Sequence, residues 1–206
     1  MPWMIGIPGT KVRVSVFVLP VLAAILLSPD AACLFCAIGA ALCHEAGHLL
    51  AMRFCGLHVE SVSIYPFGAD IRVRETLCSY TTDCIVALSG PVVNLSLGGV
   101  FFLIFRAFPA APLLCTAASH LLLCLVNLFP VKGLDGGAAL YSLLARSGGE
   151  NAERVFSCVS TAAFGVLCAL ALALFRLTGY NLSLLLVCAY LFLSEFCRTR
   201  LFSGGI

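Results

Sequence analysis

The segment His44-Glu45-Ala46-Gly47-His48 sets two imidazoles four residues apart with a carboxylate between them. On a helix, positions four apart share a face, so both rings reach a single metal ion. Glu45 lies beside them, within reach of a water held by that ion. Zinc lowers the pKa of such a water to about 7, and an adjacent carboxylate can take its proton and later hand it to a leaving amine. The residue types therefore match peptide hydrolysis. Histidine and glutamate are scarce here, so a chance HExxH is rare, on the order of a few in a thousand for this length.

The elements that carry these residues must lie in a membrane. Of the 206 residues 61% are hydrophobic and 11% charged, and the mean hydropathy is +1.07, which excludes an ordinary soluble domain. Apolar stretches of spanning length run over about 12–28, 31–54, 84–105, 110–130, 155–175 and 181–196. The expected fold is an all-α polytopic membrane protein of about six spans. It is read as a single domain over 1–206, with a catalytic core at about 31–146 and accessory spans at 12–28, 155–175 and 181–196. The first stretch, flanked by Lys11 and Arg13, also has features of a signal peptide, but no clear small-x-small cleavage site follows it.

Six spans put both termini and the second and fourth loops on one side. Ten of the twelve basic residues then fall on that side, and only Arg106 and Arg176 on the other. By the positive-inside rule both termini are expected in the cytoplasm, in a multi-pass protein of the cell membrane. With no basic cluster interleaved with aromatics on a soluble face, nucleic acid is not an expected partner. The twelve cysteines are scattered, mostly within apolar runs, and read as small hydrophobes. The lone Cys33-x-x-Cys36 pair is a weak metal or redox signal.

The second span enters from the outer side near Ala31. His44 is then roughly 20 Å down a helix in a hydrocarbon core about 30 Å thick, nearer the cytoplasm. Each ionisable group there costs about 2.5–3.5 kcal/mol, so three in five residues need a compensating role, which a metal supplies. Two histidines under-coordinate zinc, so a third protein ligand is required. The candidates are His58, Glu60, Glu195 and Asp135. Asp135 follows the fourth span, where Pro130, Gly133, Gly136 and Gly137 interrupt the helix. Irregular backbone at membrane depth is tolerated when it lines a cavity. The same residues also read as a cytoplasmic turn with Asp135 capping the helix that follows.

These motifs together resemble the site-2 proteases, the intramembrane zinc metalloproteases of peptidase family M50. HEAGH at 44–48 is similar to that family's metal-binding helix, and Gly90-Pro91-x-x-Asn94 to an element in the next span. Asn127-x-x-Pro130 followed by Leu134-Asp135-Gly136 is similar to its second metal motif. The resemblance implies one catalytic Zn2+ held by His44, His48 and Asp135, with Glu45 as the base. It also implies that Asn127 binds the substrate carbonyl or its oxyanion. For Asn94 a substrate role and interhelical hydrogen bonding beside a packed glycine stand level. His120 matches no family motif and reads as a structural polar contact.

Between the second and third spans, residues 57–74 show partial period-two alternation and suggest a small membrane-associated β-hairpin. Proteolysis needs an extended peptide, so this segment is either a plain surface hairpin or an edge to which substrate adds a strand. By resemblance, Ile64, Tyr65, Pro66, Phe67 and Gly68 are expected to guide it. The expected partners are a membrane-embedded or membrane-tethered protein substrate, the lipid bilayer and separate membrane regulators, since no stretch is long enough for a PDZ or nucleotide-binding domain. The compact form is similar to the bacterial sporulation branch, which implies regulated proteolysis releasing a signalling or transcription factor. Other readings are a prenyl-protein type protease, opposed by the absence of Glu from Cys78 to Gly149, and a metal transporter or scaffold, for which Glu45 would be dispensable.

Overall fold

The computed structural model describes residues 4–7, 10–15, 18, 31–65, 68–74, 79–148, 151–178, 185, 188, 189, 191 and 192. The chain divides into two compact units, Met1–Leu128 and Phe129–Ile206.

The first unit is built on three apolar helices, α1 (Ala31–Phe54), α2 (Tyr80–Ala107) and α3 (Ala111–Asn127). α1 is rich in Ala and Leu with no β-branched run, and coincides with the expected second span. It stops where Gly56 turns to φ +75° and lets Leu57 N–H reach back to the Met52 carbonyl at 2.9 Å, a Schellman closure. α2 is capped by Ser79, whose hydroxyl accepts from Thr82 N–H at 3.1 Å. Pro112 sits in the first turn of α3, where its missing N–H costs nothing.

The helices approach closely at glycines. A Cβ on Gly47 would lie 3.0 Å from the Ser89 carbonyl of α2, and one on Gly98 would lie 2.8 Å from Leu121 of α3. Small residues at these crossings let backbones meet, as membrane helix packing requires. A Cys33–Cys115 disulfide ties α1 to α3 across 82 residues, with the Cα atoms 5.6 Å apart. These two are therefore bonded rather than the free small hydrophobes expected, and Cys36 instead takes a hydrogen bond from the Thr116 hydroxyl. Outward positions carry Leu42, Leu95, Leu103 and Leu122, while His44, His48, Asn94 and His120 are buried. Such an inverted pattern suits lipid, where polar groups must be satisfied internally.

Four strands complete this unit: β1 (Met4–Ile7), β2 (Thr10–Val14), β3 (Val59–Tyr65) and β4 (Gly68–Val73), in that spatial order. The β3–β4 pair is the expected antiparallel hairpin. It is extended by β2, which pairs with β3 in parallel with Val12 opposite Val62, and by β1. The first span therefore cannot begin at Val12. Residues 10–14 read Thr-Lys-Val-Arg-Val, and this alternation, with Lys11 and Arg13 exposed, is a strand signal.

The second unit holds α4 (Asp135–Arg146) and α5 (Ala152–Thr178). Val131, Leu167, Ala171, Cys188 and Leu191 form its core, and Tyr141 of α4 meets Phe156 of α5 edge-on with ring centres 5.4 Å apart. Among the described residues three helices, α1, α2 and α5, are long and apolar enough to cross a membrane, and α3 is a shorter apolar helix of 17 residues. Six spans are thus not what the described residues show. Most of 12–28 and of 181–196 lies outside them.

Candidate metal centre

Both histidines of the HEAGH helix point inward, His44 5% and His48 9% exposed, with their Nε2 atoms 3.2 Å apart. The turn of α1 between them brings the rings together edge to face. His48 is oriented by α2: its Nδ1 lies 2.8 Å from the Val86 carbonyl oxygen. A carbonyl only accepts, so Nδ1 carries the proton, and in the neutral ring Nε2 keeps its lone pair toward His44. Metal-ligating histidines are oriented in this way, the second ring nitrogen donating to a carbonyl or carboxylate. Ser89 Oγ donates to the same carbonyl at 2.6 Å. Glu45 follows His44 on α1 and is half-buried.

Gly90 explains why α2 must be smooth at this level. A Cβ there would lie 2.5 Å from His48 Nε2 and 2.8 Å from His44 Cε1, in the space the two rings use. One turn further along α2, Asn94 is fully buried. Its Nδ2 is 3.1 Å from His44 Nδ1, and its Oδ1 accepts from His120 Nδ1 at 3.0 Å. The interhelical hydrogen bonding weighed for Asn94 is present, and it ends on a histidine of the motif. His120, read from sequence only as a structural contact, is 2% exposed and stacks on Phe101 with centroids 5.9 Å apart. The signal that pointed to it was a lone histidine in an apolar helix. The roles of Val86 and Ser89 had no signal, being set by a carbonyl and by helix register.

Asn127 ends α3 half-buried, its Nδ2 donating to the Leu123 carbonyl at 3.0 Å and leaving a second N–H. Ile64 lies in a strand paired on both sides, with Val14 and with Ala69, so its backbone is not an edge. The outer strands of the sheet are β1 and β4. Tyr65 and Gly68 pair at the end of the hairpin, and Pro66 and Phe67 lie outside the described residues.

In the second unit, Asp135 is the first residue of α4, where the helix N-terminus favours a carboxylate. Gly133, at φ +96°, supplies a left-handed step in the turn before it. Gly137 packs so tightly that a Cβ would collide with the Val131 carbonyl. Lys132 N–H donates to Ser160 Oγ of α5 at 2.7 Å, which fixes the turn from outside. Asp135 lines a cavity of about 690 Å3 within this unit, together with Lys132, Tyr141, Glu153, Phe156 and Ser160. As donors, the two imidazoles of His44 and His48 in the first unit and, taken by itself, the carboxylate of Asp135 in the second are of the kinds that bind Zn2+.

An apolar helical bundle with its polar groups turned inward, built around an HExxH helix whose rings are oriented from their far nitrogens, defines a membrane metalloprotein. Comparison with known proteins narrows the class. The profile of Peptidase family M50 matches residues 32–114, a stretch holding both HEAGH and the Gly90–Asn94 element. The zinc metalloprotease MJ0392 of Methanocaldococcus jannaschii is 27% identical over 154 residues, 72% of this chain and 44% of that protein. Rip3 of Mycobacterium tuberculosis is 30% identical over 118 residues, 53% of this chain and 30% of that one. The chain thus spans less than half the length of these relatives. In fold it is similar to the solved site-2 protease from Methanocaldococcus jannaschii, with a TM-score of 0.64 over 94% of this chain and 93% of that one, at 22% identity. The chain is thus similar to Peptidase family M50 over residues 32–114, and to a site-2 protease in fold.

Proposed function

We propose that this protein is an intramembrane zinc endopeptidase that cuts membrane-embedded or membrane-tethered proteins. The observation that carries the reading is the pair of buried imidazoles, Nε2 to Nε2 at 3.2 Å, on the helix that also bears Glu45. We assign His44, His48 and Asp135 as the ligands. Zinc bound there supplies Lewis acidity and makes water a nucleophile at neutral pH. Glu45 accepts the proton of the attacking water and returns it to the leaving amine. Asn127, with its second N–H, stabilises the oxyanion, a role that suits it better than Asn94, whose amide is occupied at both ends. The outer edge of β4 is where an extended substrate segment would add, since Ile64 of β3 is already paired on both sides. This proposal keeps Gly68 from the expected guiding segment and places the edge along β4 rather than at Ile64.

Sidedness follows from charge. Within the first unit Lys11, Arg13, Arg53, Arg72 and Arg74 lie on or beside the sheet, while Arg106 is at the far end of α2. Five to one puts the sheet and the N-terminus in the cytoplasm by the positive-inside rule, and the C-terminus with them if the remaining spans form. A role in regulated proteolysis, releasing a signalling factor under the control of separate membrane regulators, rests on resemblance alone.

The test is Glu45→Gln in the full chain reconstituted in lipid. Cleavage should fall by about 10²–10⁴-fold while bound zinc is unchanged, because a base that does not ligate is lost. Asp135→Ala should lose both activity and zinc. A Glu45→Gln protein cutting at the wild-type rate would sink the mechanism, and comparison of membrane-protein fragments between cells expressing wild type and cells expressing Glu45→Gln identifies substrates.

A further inference from the structure

The geometry points to His120 as a positioning residue for the metal centre: through the Asn94 amide it supplies the acceptor that lets His44 hold the tautomer a metal ligand needs. The inference rests on the proposed ligation of zinc by His44 and goes beyond it, since His120 belongs to no motif of the family.

An amide side chain has one donor end and one acceptor end. Asn94 sits between two imidazoles, Nδ2 toward His44 Nδ1 at 3.1 Å and Oδ1 toward His120 Nδ1 at 3.0 Å. The two facing ring nitrogens must therefore be opposite in kind, one bare and one protonated. In the arrangement seen, His44 Nδ1 is bare and accepts from the amide, so the neutral ring carries its proton on Nε2. His120 Nδ1 carries a proton and donates to the amide oxygen.

A metal on His44 reverses this. Ligation through Nε2 uses that lone pair, and the proton of the neutral ring must then sit on Nδ1. Nδ1–H needs an acceptor, and the group facing it is Asn94. The amide turns over to present Oδ1 to His44, which leaves Nδ2 facing His120. An Nδ2–H can only be received by a bare Nδ1, so His120 moves its own proton to Nε2. Asn94 is fully buried and His120 is 2% exposed, which keeps water from substituting freely for either partner. His48 has no such coupling, because the Val86 carbonyl holds its tautomer in the ligating form whether or not metal is bound.

The test uses the full chain in lipid nanodiscs with 15N-labelled histidine, zinc alone as the probe, and the His120 signals assigned by their absence in His120→Gln. Ring 15N shifts should report the His120 proton on Nε2, with Nδ1 bare, in the presence of one equivalent of zinc. His120→Phe, which cannot receive the amide N–H, should bind zinc about tenfold more weakly, near the lower end of the range for outer-shell partners of metal ligands. His120→Gln, with an acceptor of its own, should recover most of that loss. A purely structural role would lower the thermal stability of both variants without moving the tautomer. If wild type binds zinc while His120 keeps its Nδ1 proton, this inference is overturned and the zinc reading stands. If wild type binds no zinc, or His44→Ala binds it as well as wild type does, both fall. The tautomer is measured on the wild-type chain, so a variant that misfolds does not blunt the result.

Discussion

The histidines of α1 and the aspartate of α4 are held in place by different means. His44 and His48 depend on neighbours remote in sequence: the Val86 carbonyl, the Asn94 amide and the bare backbone of Gly90, all on α2. Asp135 depends on its own turn, shaped by Gly133 at φ +96° and by Gly137 pressed on the Val131 carbonyl. One region is assembled by helix packing and the other by local backbone. A ring held by packing can be displaced while its helix stays intact, whereas a carboxylate held by a turn moves only when the turn breaks.

The same substitution at the two glycines separates these cases. Gly137→Ala should have the larger effect, because its Cβ meets backbone that cannot swing aside. A stability loss of about 3 kcal/mol, with bound zinc lost too, is expected from thermal unfolding in detergent and metal analysis. Gly90→Ala should leave stability nearer to wild type, since its Cβ meets rings that can rotate away. Zinc affinity should nevertheless fall about 100-fold, measured by chelator competition, in line with the cost of disturbing groups that orient metal ligands. Equal loss of stability in both would erase the distinction. Ser160→Ala should have the smallest effect, removing the acceptor of Lys132 N–H at a cost of about 1 kcal/mol, with zinc content preserved. If it instead emptied the site, the turn would owe its shape to α5 rather than to its glycines.

This division also marks what could be read from residues alone. HEAGH lies on a continuous helix because its own apolar surroundings favour one, and α1 covers the expected 31–54. The turn before Asp135 was legible from Pro130 and its glycines, all local signals. The hairpin over β3 and β4 followed from alternation within a few residues. What escaped lay far apart in the chain. Cys33 and Cys115 are 82 residues from each other, and nothing in either neighbourhood names the other. β2 was absorbed into an apolar run because Val12 and Val14 continue into one, although Lys11 and Arg13 alternate with them. His120 could be flagged as an anomaly in α3, but its link to His44 passes through an amide on a third helix.

The parallel pairing of β2 with β3 has a consequence for how the chain is made. Lys11 lies opposite Ser61, so β2 leaves the ribosome 50 residues before its partner does. At ordinary synthesis rates of about 5–20 residues per second, it waits roughly 3–10 s with β1 on one side and the edge that β3 will fill unpaired on the other. During that interval an uncharged strand would be a template for any other extended segment nearby. The charges of Lys11 and Arg13 guard against such pairing in the nascent chain. Closure of the sheet then comes only after α1 has been synthesised, which makes it a late event in the biogenesis of the molecule.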